Sequence, residues 1–262
     1  MGKCKIIAIC NEKGGTGKTM TAVSLGAGLA KHGKRVLLVD ADSQADLTIS
    51  LGWRDGDALE ATIVEQLAAV IQNEELDPTL GVLRHEEGMD VMPSSKELVG
   101  IEMALFDVKR RESVLKRWME KVSGDYDYIV IDSGRSIGFM MLNVLMAADS
   151  VIIPVSADYL SARKIVDVVE DTITMQKKLN PSIRLGGVLV TRFKANTKLC
   201  TDLLKQLRDG AGDEYEVFDA VIPASVRAAE SPASGKSIFA YDGSSKPAVA
   251  YRHFVEEVMA HV

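Results

Sequence analysis

Asn-Glu-Lys-Gly-Gly-Thr-Gly-Lys-Thr, residues 11–19, lies between an apolar run and a segment of helical periodicity. The run before it, residues 5–10, contains no turn-forming residue, and apolar side chains recur at helical spacing between Ala22 and Ala30. The glycines therefore connect a buried strand to a helix, where the backbone can turn its N–H groups toward an anion at the helix start. This stretch predicts a phosphate-binding loop in an α/β fold.

The side chains of the loop have distinct expected roles. Lys18 can reach the β- and γ-phosphates of a nucleotide, and the hydroxyl of Thr19 is placed to ligate Mg²⁺. Lys13 is a second lysine, five positions before Lys18, and Glu12 stands where the general pattern has its first glycine. The loop is therefore a variant of the common one. A glycine-rich turn that binds nothing is the alternative interpretation.

Length and composition favour a single cytosolic domain. A chain of 262 residues with 47% hydrophobic residues can bury a sizeable core, and we expect one domain over residues 1–262. No apolar run approaches the roughly 18 residues of a membrane helix, and the N-terminus lacks the apolar core of a secretion signal. The three cysteines form no Cys-x-x-Cys pair, so we expect buried, reduced thiols rather than a zinc site or disulfides.

Charge is spread unevenly along the sequence. The net charge is -6, yet residues 54–90 contain ten acidic residues and two arginines, whereas residues 184–208 contain six basic residues and one acidic residue. Total charge alone argues against nucleic acid binding, but the second region is a candidate basic face. A solvated helix with ordinary surface lysines explains the same composition.

Strand and helix patterns alternate along the rest of the chain. Two of the strands end in an aspartate, Asp40 and Asp132, where open α/β sheets place their ligands. The alternation predicts a three-layer P-loop NTPase fold with a mostly parallel sheet and helices on both faces. The predicted strands cover residues 34–40, 126–132, 150–155, 185–191 and 217–222, and the predicted helices lie near residues 58–73, 96–106, 110–122, 139–147, 161–178, 197–208 and 248–259.

Several segments together resemble one family of ATPases. The loop with its extra lysine, the stretch Val39-Asp-Ala-Asp-Ser-Gln44, the strand within residues 147–155 and the segment Ile222-Pro-Ala-Ser-Val-Arg227 are similar to the ParA/MinD family of deviant Walker ATPases. The nearest branch is ParA, which segregates plasmids and chromosomes. Because the first strand begins near residue 5, we expect no additional N-terminal DNA-binding domain.

The resemblance implies a nucleotide site shared by two subunits. In this family two subunits sandwich two ATP molecules, and Lys13 of each would reach the nucleotide of the other. Asp42 matches the residue that orients the attacking water, Asp40 would lie beside the nucleotide near the metal, and Asp132 would hold Mg²⁺ through water. A strand-end or helix-capping role remains the alternative for each carboxylate. The resemblance assigns further nucleotide contacts to six residues: Gly14, Gly15, Thr16, Gly17, Met20 and Pro223.

The resemblance also implies non-specific DNA binding by the ATP-bound dimer. The candidate residues are Lys194, Lys198, Arg227 and Lys236, with Asn196 standing where the family has an arginine. Such binding needs only cations that reach phosphates. The implied partner is a ParB-like DNA-binding protein that stimulates hydrolysis, and the implied location is the cytoplasm, in association with the nucleoid.

One loop departs from the family pattern. After Asp132 the family has a proline-containing stretch, whereas this chain has Ser133-Gly-Arg-Ser-Ile-Gly138. Glycine in place of proline loosens a loop expected to sense the γ-phosphate. Arg135 adds a cation there, and we expect it to contact phosphate or the partner subunit in the ATP state. An ordinary surface arginine is the alternative.

Other members of the superfamily remain as alternatives. A MinD-like membrane-positioning ATPase would end in an amphipathic helix with a basic polar face, but Glu256 and Glu257 lie among the apolar residues of this tail. An iron–sulfur reductase would need interface cysteines, yet residue 133 is serine. A bacterial tyrosine kinase is disfavoured, because no tyrosine cluster ends the chain. An ATPase that carries another cytosolic cargo on DNA remains open.

Overall fold

The computed structural model describes residues 3–55, 58–135, 138–157, 174, 178, 180–211 and 215–261. In these residues one eight-stranded sheet has the order β3-β4-β2-β5-β1-β6-β7-β8. All neighbours pair in parallel except β3 and β4, which are antiparallel. The strands are β1 (Lys5–Ile9), β2 (Val36–Ala41), β3 (Leu83–Arg84), β4 (Asp90–Met92), β5 (Tyr128–Ser133), β6 (Ser150–Ser156), β7 (Arg184–Phe193) and β8 (Val217–Pro223).

The described helices follow most of the strands in sequence. They are α1 (Lys18–Lys31), α2 (Asp46–Ser50), α3 (Ile63–Gln72), α4 (Leu98–Ala104), α5 (Val114–Val122), α6 (Phe139–Ala147), α7 (Lys198–Gly210), α8 (Val226–Glu230), α9 (Ile238–Asp242) and α10 (Lys246–His261). Within the described segments, no helix is long and apolar enough to cross a bilayer.

Apolar side chains pack on both faces of the sheet. Successive residues of β1 point to opposite sides, so Ala8 belongs to one hydrophobic cluster while Ile7 and Ile9 belong to another. The first cluster includes Trp118 of α5, and the second includes Phe254 of α10. This arrangement confirms the predicted three layers, with helices on both faces of a mostly parallel sheet.

The structure differs from the predicted elements in a few places. The helix predicted over residues 58–73 begins only at Ile63, because Thr62 and Glu65 form a capping box that fixes its start. The short helix α2 and the antiparallel edge strand β3 were not predicted. The helix predicted over 161–178 lies outside the described residues, apart from Thr174 and Lys178, which are helical.

Helix α1 packs very closely against the sheet and against α10. A Cβ atom built on Gly26 would lie 2.5 Å from Cδ2 of Leu38, and one built on Gly28 would lie 2.5 Å from Cγ2 of Val255. Real side chains do not tolerate such distances, so glycine at these two positions permits the close approach. The position of the N-terminus of α1, and with it Lys18, depends on this packing.

We expect Gly28→Ala to lower the free energy of unfolding by about 1–3 kcal/mol, because the stiff side chain of Val255 would have to move in a filled core. The matched control is Gly100→Ala in α4, where no atom lies within 4 Å of the new Cβ. The control should gain up to about 1 kcal/mol from helix propensity. Urea denaturation measures both, and equal stability of the two variants would contradict the close packing.

Candidate nucleotide site

The loop between β1 and α1 has the backbone shape that the glycines predict. Gly15 and Gly17 adopt left-handed conformations, with φ of 75° and 86°. The side chain of Asn11 fixes the start of the loop, because its Oδ1 accepts from the N–H of Lys13 at 2.9 Å and its Nδ2 donates to the carbonyl of Pro154 at 2.8 Å. The loop is thereby joined to β6.

A second anchor comes from strand β7. The hydroxyl of Thr191 donates to the carbonyl of Thr16 at 2.7 Å and also lies 3.2 Å from the carbonyl of Val155. The hydroxyl of Thr16 in turn donates to the carbonyl of Lys13 at 3.3 Å. Neither Asn11 nor Thr191 was predicted as a site residue, because each is marked in the sequence only as a polar residue at the end of an apolar strand.

Lys18 is buried at the first position of α1. Its Nζ donates to the carbonyl of Lys13 at 3.2 Å, so the two lysines of the loop are connected through the backbone of the first. Lys13 itself is half-buried. A phosphate oxygen, being anionic, is a stronger acceptor for an ammonium group than a carbonyl oxygen. The loop therefore holds Lys18 where a phosphate would be bound.

Asp40 and Asp132 are register partners on the adjacent strands β2 and β5. Both side chains are buried. Oδ2 of Asp40 accepts from the N–H of Thr48 at 2.9 Å and from its hydroxyl at 2.7 Å, and Oδ1 accepts from the N–H of Asp42 at 3.2 Å. Asp132 forms a side-chain hydrogen bond with Thr19, but its Oδ1 is buried without a hydrogen-bond partner among the residues that the structure describes.

Asp42 follows β2 at the same edge of the sheet. Its side chain is half-buried, and Oδ1 accepts from the N–H of Gln44 at 3.0 Å. The loop after β5 lies against it, since a Cβ built on Gly134 would be 3.6 Å from Oδ1 of Asp42. The structure therefore brings Asp40, Asp42 and Asp132 together beside the loop.

Three predicted residues, Thr19, Met20 and Lys236, line a cleft of about 250 Å³ beside the start of α1. Met20 was predicted to contact nucleotide, whereas Lys236 was predicted to contact DNA. Asp46 lines the same cleft. The structure thus places Lys236 at the edge of the candidate nucleotide site.

The remaining predicted residues lie at the ends of β7 and β8. Pro223 pairs with Phe193 in the sheet and does not line the cleft beside α1. Lys194 and Lys198 are exposed after β7, and Arg227 is exposed at the start of α8. The N–H of Ala224 donates to the carbonyl of Phe193 at 3.0 Å, so the two cationic segments leave the sheet side by side.

Comparisons with known proteins identify the family. A family model described as an AAA domain matches residues 4–185. The sporulation initiation inhibitor protein Soj of Bacillus subtilis is 39% identical, over 98% of this chain and 99% of that protein. The chromosome-partitioning ATPase Soj of Thermus thermophilus is 37% identical, over 99% of this chain and 97% of that protein. The chain belongs to the ParA/MinD family of ATPases.

A solved structure supports the same assignment of fold. The structure described as cobyrinic acid a,c-diamide synthase from Mycobacterium smegmatis, which contains an ATP analogue and magnesium, superposes on this ATPase with a TM-score of 0.83. The two chains are 34% identical over 98% of this chain and 95% of that one. The P-loop fold of the ATPase is therefore established independently of its loop motif.

The side chains of the ATPase fit a nucleotide with a divalent cation. Within the described part of the chain, the buried Oδ1 of Asp132 has no hydrogen-bond partner, and the Thr19 hydroxyl lies beside the same carboxylate. Carboxylate and hydroxyl oxygens are ligands that Mg²⁺ prefers. Thr19 and Asp132, the latter directly or through water, are the residues that would hold it, and Lys18 together with the loop N–H groups would hold the phosphates.

Burial shifts the charges of these groups toward neutrality. Burial raises the pKa of Asp132 well above its ordinary value of 3.8, and the neighbouring Asp40 raises it further. Burial lowers the pKa of the Lys18 ammonium, although Asp132 counteracts this effect. Burial also raises the pKa of Asp40 to about 6, against the hydrogen bonds from Thr48. Opposite charges from a phosphate and a metal ion would compensate these costs.

The three cysteines are free and buried, as predicted. Burial raises the pKa of the Cys10 thiol, at the end of the strand that leads into the loop, to about 12. This thiol is therefore protonated and unreactive at neutral pH.

The raised pKa of Asp40 predicts how stability depends on pH without nucleotide and metal. Asp40 ionises near pH 4 in the unfolded chain and near pH 6 in the folded protein, so its contribution to stability is present at low pH and is lost as the pH rises through 6. Relative to Asp40→Asn, we expect the wild-type free energy of unfolding to fall by up to about 3 kcal/mol between pH 4 and pH 7.

In the control for this measurement, stability depends on pH in the opposite direction. The hydrogen bond from Arg35 lowers the pKa of Asp127 to about 2, so the stability that Asp127 contributes is lost as the pH falls below 4. Chemical denaturation of wild type, Asp40→Asn and Asp127→Asn from pH 3 to pH 8 separates the two effects. Parallel pH profiles of wild type and Asp40→Asn would contradict the assignment.

Proposed function

We propose that this protein is a partitioning ATPase that dimerises on ATP, binds DNA without sequence preference and is released from DNA when a partner protein stimulates hydrolysis. ATP is the substrate and Mg²⁺ the metal cofactor. The observation that carries the proposal is the loop with two lysines, Lys13 and Lys18, in a chain similar over nearly its whole length to proteins named Soj. One of these relatives is named a chromosome-partitioning ATPase.

The proposal gives the metal ion, the two lysines of the loop and Asp42 separate roles in hydrolysis. Mg²⁺ neutralises charge on the β- and γ-phosphate oxygens when it is bound. Lys18 leaves the carbonyl of Lys13 and donates to a phosphate oxygen. Asp42, held by the N–H of Gln44, orients the attacking water. Lys13 of the second subunit brings a cation to the phosphoryl group during transfer, as an arginine finger does.

This division of roles makes Lys13 the link between dimerisation and hydrolysis. Without the ammonium of Lys13, each nucleotide loses the cation supplied by the other subunit, while Lys18 remains in place. Nucleotide binding by a single subunit should therefore persist, whereas closure of the dimer and hydrolysis should fail.

We expect Lys13→Ala to lower the ATPase rate by about 10³-fold, the lower end of the effect of a cation supplied in trans. In a buffer with a non-hydrolysable ATP analogue and Mg²⁺, sedimentation should show the wild type as a dimer and Lys13→Ala as a monomer. Lys121→Ala, which removes an exposed lysine of α5, is the matched control and should behave as the wild type. A Lys13→Ala variant that dimerises and hydrolyses ATP normally would refute the proposal.

The DNA-binding part of the proposal depends on the two adjacent segments after β7 and β8. The exposed cations Lys194, Lys198 and Arg227 lie on these segments. Arg227 is 3.5 Å from Glu230 and 3.7 Å from Asp242, and its side chain is 60% exposed. Ion pairs this exposed contribute little to stability, so the guanidinium can exchange a carboxylate for a DNA phosphate at small cost.

We expect Arg227→Glu to weaken DNA binding by the ATP-bound dimer at least about tenfold, because one phosphate contact is replaced by repulsion. The slope of log affinity against log salt should become shallower by about one unit. Lys116→Glu in α5 makes the same charge reversal for a lysine and should have little effect. The measurement is DNA binding by fluorescence anisotropy, with thermal unfolding as a check on folding.

The double variant Lys194→Ala, Lys198→Ala keeps this test decisive if Arg227→Glu unfolds. It removes two cations from the neighbouring segment without adding an acidic group beside Glu230. Full affinity and an unchanged salt slope in the double variant and in any folded Arg227→Glu protein would overturn the proposed DNA face.

The tail of the chain does not favour the MinD-like alternative. The apolar stripe of α10 is buried, with Tyr251, Phe254 and Val258 in the core. The carboxylate of Glu257 accepts from the N–H groups of Asp219 and Ala220, both at 2.8 Å. A face already packed on the domain and pinned in this way is not available to insert into lipid.

The partner is proposed to be a ParB-like protein, but the acidic region offers limited support as its docking surface. Several carboxylates in residues 54–90 have internal partners: Glu65 caps α3, Asp77 bonds to Thr79, Glu87 bonds to Ser237, and Asp90 accepts from Tyr126. These contacts give much of the acidic region a structural role. A protein captured by an Asp42→Ala variant, expected to be trapped with ATP, would distinguish a DNA-segregation partner from another cargo.

A further inference from the structure

Arg135 lies over the phosphate loop. A Cβ atom built on Gly14 would meet Cδ of Arg135 at 3.4 Å and Nη1 at 3.5 Å. The side chain therefore crosses the loop at the residue that follows Lys13. Burial lowers the pKa of Lys18, and the charge of Arg135 lowers it further, so the two cations lie within electrostatic range of each other.

Arg135 lies at the side of the site where the γ-phosphate of a bound ATP is expected. Its neighbour Gly134 lies against Asp42, the residue proposed to orient the attacking water. Lys18, whose pKa the charge of Arg135 lowers, is expected to hold the β- and γ-phosphates. A guanidinium near both groups is therefore expected to face the terminal phosphate rather than the nucleoside.

Among the described residues, the guanidinium of Arg135 pairs with one carboxylate. Nη2 of Arg135 donates to Oδ2 of Asp46 at 3.1 Å, and the two side chains are 56% and 47% exposed. Exposed pairs of this kind contribute little stability. A guanidinium has five N–H donors, and a phosphate group can accept two of them in parallel, which an Arg–carboxylate contact through one oxygen does not achieve.

We propose that Arg135 binds the terminal phosphate of ATP bound to its own subunit, exchanging Asp46 for the phosphate when the triphosphate is bound. Asp46 is then the counter-ion that holds the guanidinium over the loop until the exchange. ADP lacks the terminal phosphate and leaves the Arg135–Asp46 pair intact. This inference rests on the proposed function, and it gives the loop after β5 a cation-based way to distinguish ATP from ADP.

The test compares two nucleotides in a protein that stays monomeric. In a Lys13→Ala background, affinities for a fluorescent non-hydrolysable ATP analogue and for fluorescent ADP are measured with Mg²⁺. Adding Arg135→Ala should weaken binding of the ATP analogue about tenfold or more, the effect of a lost charged hydrogen bond, and should change ADP affinity less than about threefold. Arg135→Lys keeps the charge but loses the planar guanidinium, so its affinity for the ATP analogue should lie between those of the parent and of Arg135→Ala.

Two further variants test the role of Asp46 as counter-ion and the effect of removing an arginine elsewhere on the surface. Asp46→Asn should bind the ATP analogue as tightly as its parent or more tightly, because the guanidinium no longer has to leave a carboxylate. Arg35→Ala removes an arginine from another exposed pair, with Asp127, and should change neither affinity. Loss of ATP-analogue affinity in Asp46→Asn equal to that in Arg135→Ala would overturn the exchange.

Other outcomes also overturn the inference. Equal loss for both nucleotides in Arg135→Ala, or no loss for either, excludes a contact with the terminal phosphate. Normal affinities in the monomeric background with impaired dimerisation when Lys13 is restored would assign Arg135 to the partner subunit. The variant Lys18→Ala distinguishes failure of the inference about Arg135 from failure of the proposed function. If Lys18→Ala and Arg135→Ala both bind nucleotide normally, the loop is not a nucleotide site. If only Lys18→Ala loses nucleotide affinity, the role of Arg135 alone is refuted.

Discussion

The burial of two carboxylates at neighbouring strand ends, together with the ammonium at the start of α1, is the constraint on which the site depends. Lys18, Asp40 and Asp132 are each almost removed from water. Isolated charges in such surroundings are very costly, so each must be hydrogen-bonded, paired or neutralised. The register between β2 and β5 places the two carboxylates side by side and leaves no room to separate them. The pairing of the two strands therefore itself causes the repulsion between the two carboxylates.

The protein resolves this constraint differently for each group. Asp40 is surrounded by donors from Thr48 and from the backbone of Asp42, so its role is to support the loop that carries Asp42. Among the described residues, Oδ1 of Asp132 has no hydrogen-bond partner, so this oxygen could accept from a metal-bound water or bind a cation. The two carboxylates therefore differ in their hydrogen bonding, although both stand at the ends of similar apolar strands, and Asp132 is the one that we propose as a metal ligand.

Much of this organisation could be predicted from the sequence. The glycine spacing and the apolar runs predicted the loop, the central strands and most helix positions, because periodicity and left-handed glycines depend on local chemistry. Asn11, Thr48 and Thr191 could not be found in this way. Their partners are Pro154, Asp40 and Thr16, two of them distant in sequence, and only the tertiary fold brings them together. The edge strand β3 was missed because two residues carry no periodic signal.

The tight seating of α1 limits where this ATPase can change shape. Gly26 and Gly28 let the helix pack in direct contact with Leu38 and Val255, so the helix has little freedom to move relative to the sheet. We therefore expect conformational changes that depend on the bound nucleotide to occur in the segments after β2 and β5 rather than in α1. Among the described residues, the exposed salt bridge between Arg135 and Asp46 joins these two segments, and its small cost of breaking would let them separate when the nucleotide changes.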